Sequence, residues 1–498
     1  MQRKISIAAV LAIVSCAAAD PLSLTARHRV PNAADLGGYS VAEKALRWEP
    51  KETAIVICDM WDKHWCNGAT QRVGEIAPQM DRVVAKARSL GMFVIHAPSD
   101  CMSHYVDTPQ RKLAQSAPQA KNLPKDIHEW CRRITDEPAL PIDDSDGGCD
   151  DGPGKSFRAW KKQHDAIHIV DGDAISDSGK EIWNLMEARG IKNVIVMGVH
   201  TNMCVLGRPF GLRQMAKNGK NVVLARDLTD AMYNPAKKPF VSHRRGTEFV
   251  IEHIEKYVCP SIHSGDILGE PYKPHVVFLV GENEYKTAES LPGFAKTELE
   301  SRGLRCTFVH ADAKNENLFP GIDALRTADL LFISVRRRPP SDEQLAAIRA
   351  YIESGRPVVG IRTASHAFHL LNKPGGWPEF DRDVIGGSYN MHFGKGEPTV
   401  MSALEKAGKH PILSGVPATF NSEETLYRNP KLAESATPLL RGKVGPGGKE
   451  NHYVAWTNVY KGGRVFYVAL GGPDDFKSDA FRRLVRNGVF WALEREVH

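Results

Sequence analysis

The strongest constraint on this chain is a rhythm of short, wholly apolar runs, each followed by a segment of helical spacing that a glycine stops. Ala54-Ile55-Val56-Ile57-Cys58 is the first run. Residues 76–90 follow with helical spacing and end at Gly91. Met92-Phe93-Val94-Ile95 is the second run, and Ala166-Ile167-His168-Ile169 the third. Residues 180–188 read as a helix closed by Gly190; residues 193–199 and 221–225 are the fourth and fifth runs. Runs apolar throughout are strands buried on both faces. Strands alternating with helices predict a parallel sheet covered by helices on both sides. Ligands in such sheets sit at the carboxyl ends of the strands.

The rhythm breaks twice. Residues 98–162 form a long insertion with an acidic run, Asp143-Asp144-Ser145-Asp146-Gly147-Gly148-Cys149-Asp150-Asp151, which lacks the EF-hand spacing and reads as a solvated loop. Gly269-Glu270-Pro271-Tyr272-Lys273-Pro274 reads as a linker, after which the pattern restarts. Residues 275–280, 305–310, 329–334, 357–361 and 463–470 read as strands. Ser341-Asp342-Glu343-Gln344 is a capping box, in which the serine hydroxyl and Gln344 satisfy each other's free N–H groups. Leu345, Ile348 and Ile352 share the following helical face, Gly355 closes it, and residues 481–493 make a C-terminal helix. A chain of 498 residues exceeds one ordinary core, so two α/β domains are expected.

The formal charge of +6 is dispersed, which gives no reason to invoke nucleic acid or an anionic membrane surface. Residues 1–19 read as a signal peptide: Arg3 and Lys4, an apolar stretch over residues 5–15, then Ala17-Ala18-Ala19 before Asp20. That stretch is shorter than the roughly 18 residues a membrane span needs. Export, to the periplasm or outside the cell, is expected. A lipobox reading of Ile13-Val14-Ser15-Cys16, with Cys16 lipidated, is the lesser alternative. Export permits disulfides, for which Cys66, Cys131 and Cys149 are candidates.

Asp59 ends the first strand, and the fourth runs out through Val199, His200, Thr201, Asn202 and Met203 to Cys204. Both therefore point to the same sheet edge. Thr201 or Asn202 can cap a helix starting near Cys204, which would place the sulfur at a helix N-terminus and lower its pKa. Pro209 requires that helix to kink or form in two pieces. A carboxylate beside the thiol can take its proton and return it to a leaving group. Trp61, His64 and Trp65 either stack on a planar substrate or pack under the insertion. His64, His96, Asp100 and His104 lack metal-ligand spacing and read as ordinary side chains, so no metal or cofactor is expected.

Two resemblances follow from these residues. Ile55-Val56-Ile57-Cys58-Asp59-Met60 and Gly198-Val199-His200-Thr201-Asn202-Met203-Cys204-Val205 resemble the signatures of isochorismatase-like (nicotinamidase-related) hydrolases, over residues 48–268. The resemblance implies a three-layer αβα fold, Cys204 as nucleophile and Asp59 as acid/base. It also implies a cis peptide between Val199 and His200 that shapes an oxyanion hole, and self-assembly as one option. It departs at the third strand, where the family carries a lysine and this chain has none; Lys161, Lys162 and His168 are the nearest substitutes.

Residues 275–498 resemble trehalose-utilisation (ThuA-like) domains, which have the class I glutamine amidotransferase-like fold. The matching pieces include Ala328-Asp329-Leu330-Leu331-Phe332-Ile333, Gly386-Gly387 with His392, Glu423-Glu424-Thr425-Leu426-Tyr427 and Ala455-Trp456-Thr457. At the turn where amidotransferases carry a cysteine this chain has Arg362, so glutamine hydrolysis is not expected. His366, His392 and Glu424 are candidates for binding a polar ligand such as a sugar, with Trp456 stacking on it or packing.

The expectation is an exported cysteine hydrolase cleaving the C–N bond of a small-molecule amide or related compound. Its alternatives are a non-catalytic binding or scaffold protein that lost the lysine, and a carbohydrate-active protein working through the second domain.

Overall fold

The structure, a computed structural model, describes residues 20–31, 39–152, 156–370, 376–394, 398–445, 448 and 451–497. The signal-peptide reading of residues 1–19 lies outside them. No helix among the described residues is long and apolar enough to cross a membrane.

The first domain is built on eight strands: β1 (Leu22–Pro31), β2 (Tyr39–Trp48), β3 (Thr53–Cys58), β4 (Phe93–Ala97), β5 (Ala174–Ile175), β6 (Asn193–Val199), β7 (Asn221–Asp230) and β8 (Ser261–Ile262). Their order is β2-β1-β8-β7-β6-β3-β4-β5. β3 is buried at every position. Ile55 and Ile57 pack on one face with Val73, Ala77, Met80, Val83 and Val84 of the helix Asn67–Ser89. Ala54, Val56 and Cys58 face the other side, with Ile182, Trp183 and Leu185 of the helix Gly179–Ala188. Both faces are thus covered, giving three layers. The chain winds outward from β3 through β4 to β5, then returns to β6 and winds the other way. The winding reverses between β3 and β6, where open α/β sheets bind ligands.

The sheet departs from the sequence reading at two places. Residues 166–169 form no strand; His168 is exposed and held by Asp81, and the edge position is taken by the two residues of β5. The hairpin β1–β2, ahead of the residues that carry the family resemblance, closes the opposite edge through Arg27 and Ser261.

The second domain has its own sheet. It contains β9 (His275–Gly281), β10 (Arg305–His310), β11 (Leu330–Val335), β12 (Val358–Ile361), β13 (Met391–His392), β14 (Thr399–Ala403), β15 (Thr419–Ser422), β16 (Tyr427–Arg428), β17 (Thr437–Val444), β18 (His452–Tyr460) and β19 (Gly463–Val468). Nine of these form one sheet, β10-β9-β11-β12-β19-β18-β17-β14-β15, and β13 pairs with β16 alone. The first five in that order are parallel and the rest antiparallel. The capping box forms only by half. Ser341 caps the N–H of Gln344, but the Gln344 amide turns away to both backbone groups of Phe319 at 3.0 and 2.9 Å. There it ties the helix Asp342–Glu353 to a neighbouring loop.

The domains are riveted at Glu494, just past the C-terminal helix Asp479–Ala492. Its backbone is left-handed (φ 58), a region costly for a residue with a Cβ. Its carboxylate meets Arg29 at 2.6 Å and Arg245 at 3.3 Å in the first domain, and Arg464 at 3.5 Å in its own. Burial would raise its pKa, but Arg29, Arg464 and Arg245 hold it well below the usual carboxylate range.

Candidate functional site

Asp59 and Cys204 meet at the point where the winding of the first sheet reverses. Asp59 leaves β3 in a left-handed turn (φ 47) and is fully buried. Its Oδ1 accepts the Ser99 N–H at 2.7 Å and its Oδ2 the Arg208 Nε at 3.0 Å. The Cys204 thiol faces the same carboxylate closely enough that the two shift each other's pKa. The approach of β6 to β3 requires Gly198: it has φ 115, and a Cβ there would lie 2.0 Å from the Cys58 carbonyl oxygen. The Val199–His200 peptide is cis.

The helical turn that holds the thiol starts earlier than expected, at Thr201 rather than near Cys204. Cys204 lies within the wide helical turn Thr201–Val205, whose flanking residue His200 provides no side-chain cap, and a separate helix starts only at Leu212. The expected lowering of the thiol pKa is corrected. Burial first, and Asp59 second, push the thiol pKa up, and Arg208 pulls it back only in part. Burial likewise raises the Asp59 carboxyl, against Arg208 and Ser99. The resting pair is a neutral thiol beside a carboxyl group that a guanidinium balances. Proton transfer to Asp59 can generate the thiolate when a substrate arrives.

Arg208 is the residue the sequence reading missed. It stands where a cation is needed, one helical turn past Cys204, and its N–H bonds the Cys204 carbonyl at 3.0 Å. The i, i+4 spacing was its only sequence signal. The substitutes named from sequence lie elsewhere: Lys162 pairs with Asp165, Lys161 is exposed, and His168 pairs with Asp81.

The insertion is anchored rather than solvated. Asp144 accepts from Asn202, two residues before Cys204, at 2.7 Å; Asp146 accepts from Asn234; and Asp150 pairs with Arg72. Cys66 and Cys149 form a disulfide, while Cys131 is free. Deeper in, Glu137 is buried between Arg213 and His253. Burial would raise its pKa, but these two partners bring it down to about 2. Trp130 lies over Gly207, where a Cβ would meet its ring at 2.7 Å, and Arg208 sits 4.9 Å from the ring centre. Trp130, Arg132, Arg133, Leu140, Asn202 and Met203 help line a cavity of about 440 Å³ beside the Cys204 turn.

Trp61, His64 and Trp65 pack under the insertion. Trp61 stacks on Trp160 at 4.1 Å, and His64 lies 5.7 Å from the same ring. His64 meets His200 edge-on at 4.9 Å. Burial, then Arg72, lowers the His64 pKa to about 4; burial, then His64, lowers that of His200 to about 3. Both rings are therefore neutral at pH 7. His96 bonds Gln163 and Asp173, whereas His104 packs on Tyr105 and Asp100 reaches toward Arg208 at 4.0 Å. These four do not converge.

In the second domain the turn after β12 holds Arg362, left-handed (φ 45) and buried. Its guanidinium donates to the carbonyls of Thr425 and Ala469 at 2.7 and 2.8 Å and to the Thr425 hydroxyl at 2.7 Å. The rings of Tyr427 and Tyr285 flank it at 4.0 and 4.7 Å.

Residues 276–492 match the family model described as trehalose utilisation, ThuA. The C-terminal half of this chain carries a ThuA domain. No curated protein sequence matches the chain. A ThuA-like protein from Parabacteroides merdae is 17% identical, covering 45% of this chain and 92% of its own, with a TM-score of 0.36. A cysteine hydrolase from Pseudomonas syringae pv. phaseolicola is 16% identical, covering 44% and 92%, at 0.29. An isochorismatase family protein from Burkholderia thailandensis is 14% identical, covering 44% and 95%, at 0.26.

Within the ThuA domain, three of the four candidate residues gather around Arg362 and Tyr427. Glu424 lies 3.7 Å from the Arg362 guanidinium, and His366 and His392 lie 6.0 and 6.3 Å from the Tyr427 ring. Trp456 does not join them. It is fully buried, donates to the Ile385 carbonyl at 2.8 Å and packs on Tyr467, so stacking on a sugar is ruled out for it.

Proposed function

We propose that the first domain is a cysteine hydrolase that cleaves the C–N bond of a small amide. The observation that carries this reading is the buried Cys204 thiol beside the Asp59 carboxylate, with Arg208 at 3.0 Å from that carboxylate. As the sulfur attacks the amide carbon, its proton passes to Asp59. The oxygen of the tetrahedral adduct takes up negative charge, which backbone N–H groups of the Val199–His200 segment would stabilise. Asp59 then gives the proton to the departing nitrogen, leaving a thioester and a free amine. Water, deprotonated by Asp59, cleaves the thioester to the acid and restores the thiol. Arg208 supplies the positive charge assigned to the absent lysine, which favours this reading over a domain that lost its activity. The cavity beside the turn has the size of a small-molecule site. The Cys66–Cys149 disulfide supports an oxidising compartment, as export would provide.

The test is turnover on a panel of small amides together with alkylation of Cys204. Cys204→Ala and Asp59→Asn should each reduce turnover by at least about a thousandfold. Because Asp59 raises the thiol pKa, Asp59→Asn should label with iodoacetamide faster than wild type at pH 8 while turning over slower. Turnover that survives Cys204→Ala would end the proposal.

A further inference from the structure

A cavity of about 560 Å³ lies between the domains, away from Cys204. One wall is β1, β7 and the helix His243–Tyr257; the other includes Asp329, Arg356, Arg464 and Glu494. Most arginines along it are already paired. Arg29 and Arg245 share Glu252 and Glu494, Arg72 holds Asp150 and Asp230, and Arg495 meets Glu43.

Arg226, from the first domain, and Arg356, from the second, are different. Among the described residues neither forms an ion pair with a carboxylate, and Arg226 Nη1 and Arg356 Nε are buried with no hydrogen-bond partner. Arg356 Nη1 is turned to backbone carbonyls, the nearest being Leu325 at 2.9 Å. The carboxylates close by are engaged elsewhere. Asp227 accepts from the N–H and hydroxyl of Ser264, and Asp329 from the His275 N–H at 2.7 Å. Burial, then Arg27, lowers the Arg226 pKa to about 10, and burial, then Arg244, lowers that of Arg356. Tyr272 lies 5.6 Å from the Arg226 guanidinium and stacks on His263 at 4.3 Å, and all three line the cavity.

We propose that this cleft binds a polar small molecule bearing a phosphate or carboxylate group, held by Arg226 from one domain and Arg356 from the other. A partly desolvated guanidinium without a carboxylate is costly, and an oxyanion supplies the missing acceptors in a geometry that fits its forked donors. The volume falls in the range of small-molecule sites, and domain interfaces are where such sites are common. Thr229 lines the cleft and its hydroxyl lies 2.7 Å from that of Thr201, in the Cys204 turn. One hydrogen bond therefore links the cleft wall to the Cys204 turn. The proposal stands independently of the hydrolase reading.

The experiment uses the full chain in chloride buffer at matched ionic strength, titrated calorimetrically with inorganic pyrophosphate and, separately, with citrate. At least one should bind saturably with one site per chain and raise the unfolding temperature. Binding of pyrophosphate alone identifies a phosphate ligand, and binding of citrate alone a carboxylate. Arg226→Gln and Arg356→Gln should each weaken binding by about tenfold or more. Arg132→Gln, at the cavity beside Cys204, should leave it unchanged. Circular dichroism checks folding, and should Arg226→Gln not fold, Arg356→Gln decides alone. No binding of either anion beyond chloride, or unchanged affinity in the folded arginine variants, overturns the proposal.

Discussion

The two domains each bring a charged or nucleophilic residue out of a buried parallel strand into a tight turn, and they use it in opposite ways. In the first, Asp59 and Cys204 are held by few partners: one N–H, one guanidinium and each other. In the second, Arg362 is surrounded by carbonyls, a hydroxyl and two aromatic rings. A strand end becomes a reaction site only when the groups there keep bonding capacity to spare. Arg362 has the strained backbone of such a site but has committed both of its terminal nitrogens to the fold, leaving only its Nε without a partner.

That contrast can be broken most forcefully at Arg362. Arg362→Met removes bonds to two buried carbonyls and should cost about 3–5 kcal/mol in unfolding free energy. Turnover per folded molecule at Cys204 should not change, as thermal unfolding and active-site titration would show. A turnover defect without a stability loss would erase the distinction.

The next effect is at Glu137, which anchors the insertion over the first site. Glu137→Ala leaves Arg213 buried without its carboxylate and should cost about 3 kcal/mol. The folded pKa lies below the ordinary value of 4.5, at about 2. Its contribution is therefore fully present above about pH 4.5 and is lost as pH falls toward 2. Wild type should lose stability across that window in acid denaturation, and the variant should show less of this slope.

The smallest effect sharpens the comparison from the first domain. Arg208→Gln removes the cation that lowers both the Asp59 and the Cys204 pKa. The acid limb of kcat/KM should move to higher pH, because Asp59 must be ionised to accept the thiol proton. At pH 7 the loss should be about tenfold to a hundredfold. An unchanged pH profile would make Arg208 a structural residue like Arg362.

Much of this was legible in the sequence where the signal is local. Strands β3, β6, β9, β11 and β12 announce themselves by nearly unbroken apolar runs, and the helices between them by glycine stops. Asp59 and Cys204 could be placed on one edge because both follow such strands. The failures came where tertiary partners decide. Ala166-Ile167-His168-Ile169 has a strand's composition, but the Asp81 bond to His168 holds it as a loop. The acidic run looked solvated because its partners Asn202, Asn234 and Arg72 lie far away in the chain. Trp456 looked like a ligand platform because burial and its bond to Ile385 leave no mark on the sequence.

The grip of three arginines on Glu494 has a consequence for the molecule as a whole. Removing everything after Gly269 would leave Arg29 without its nearest carboxylate and Arg245 without one of its three, on the face that the second domain now covers. The two cores should therefore melt in a single cooperative transition, and the first domain produced alone should be less stable and less soluble than its own complete hydrophobic core would suggest.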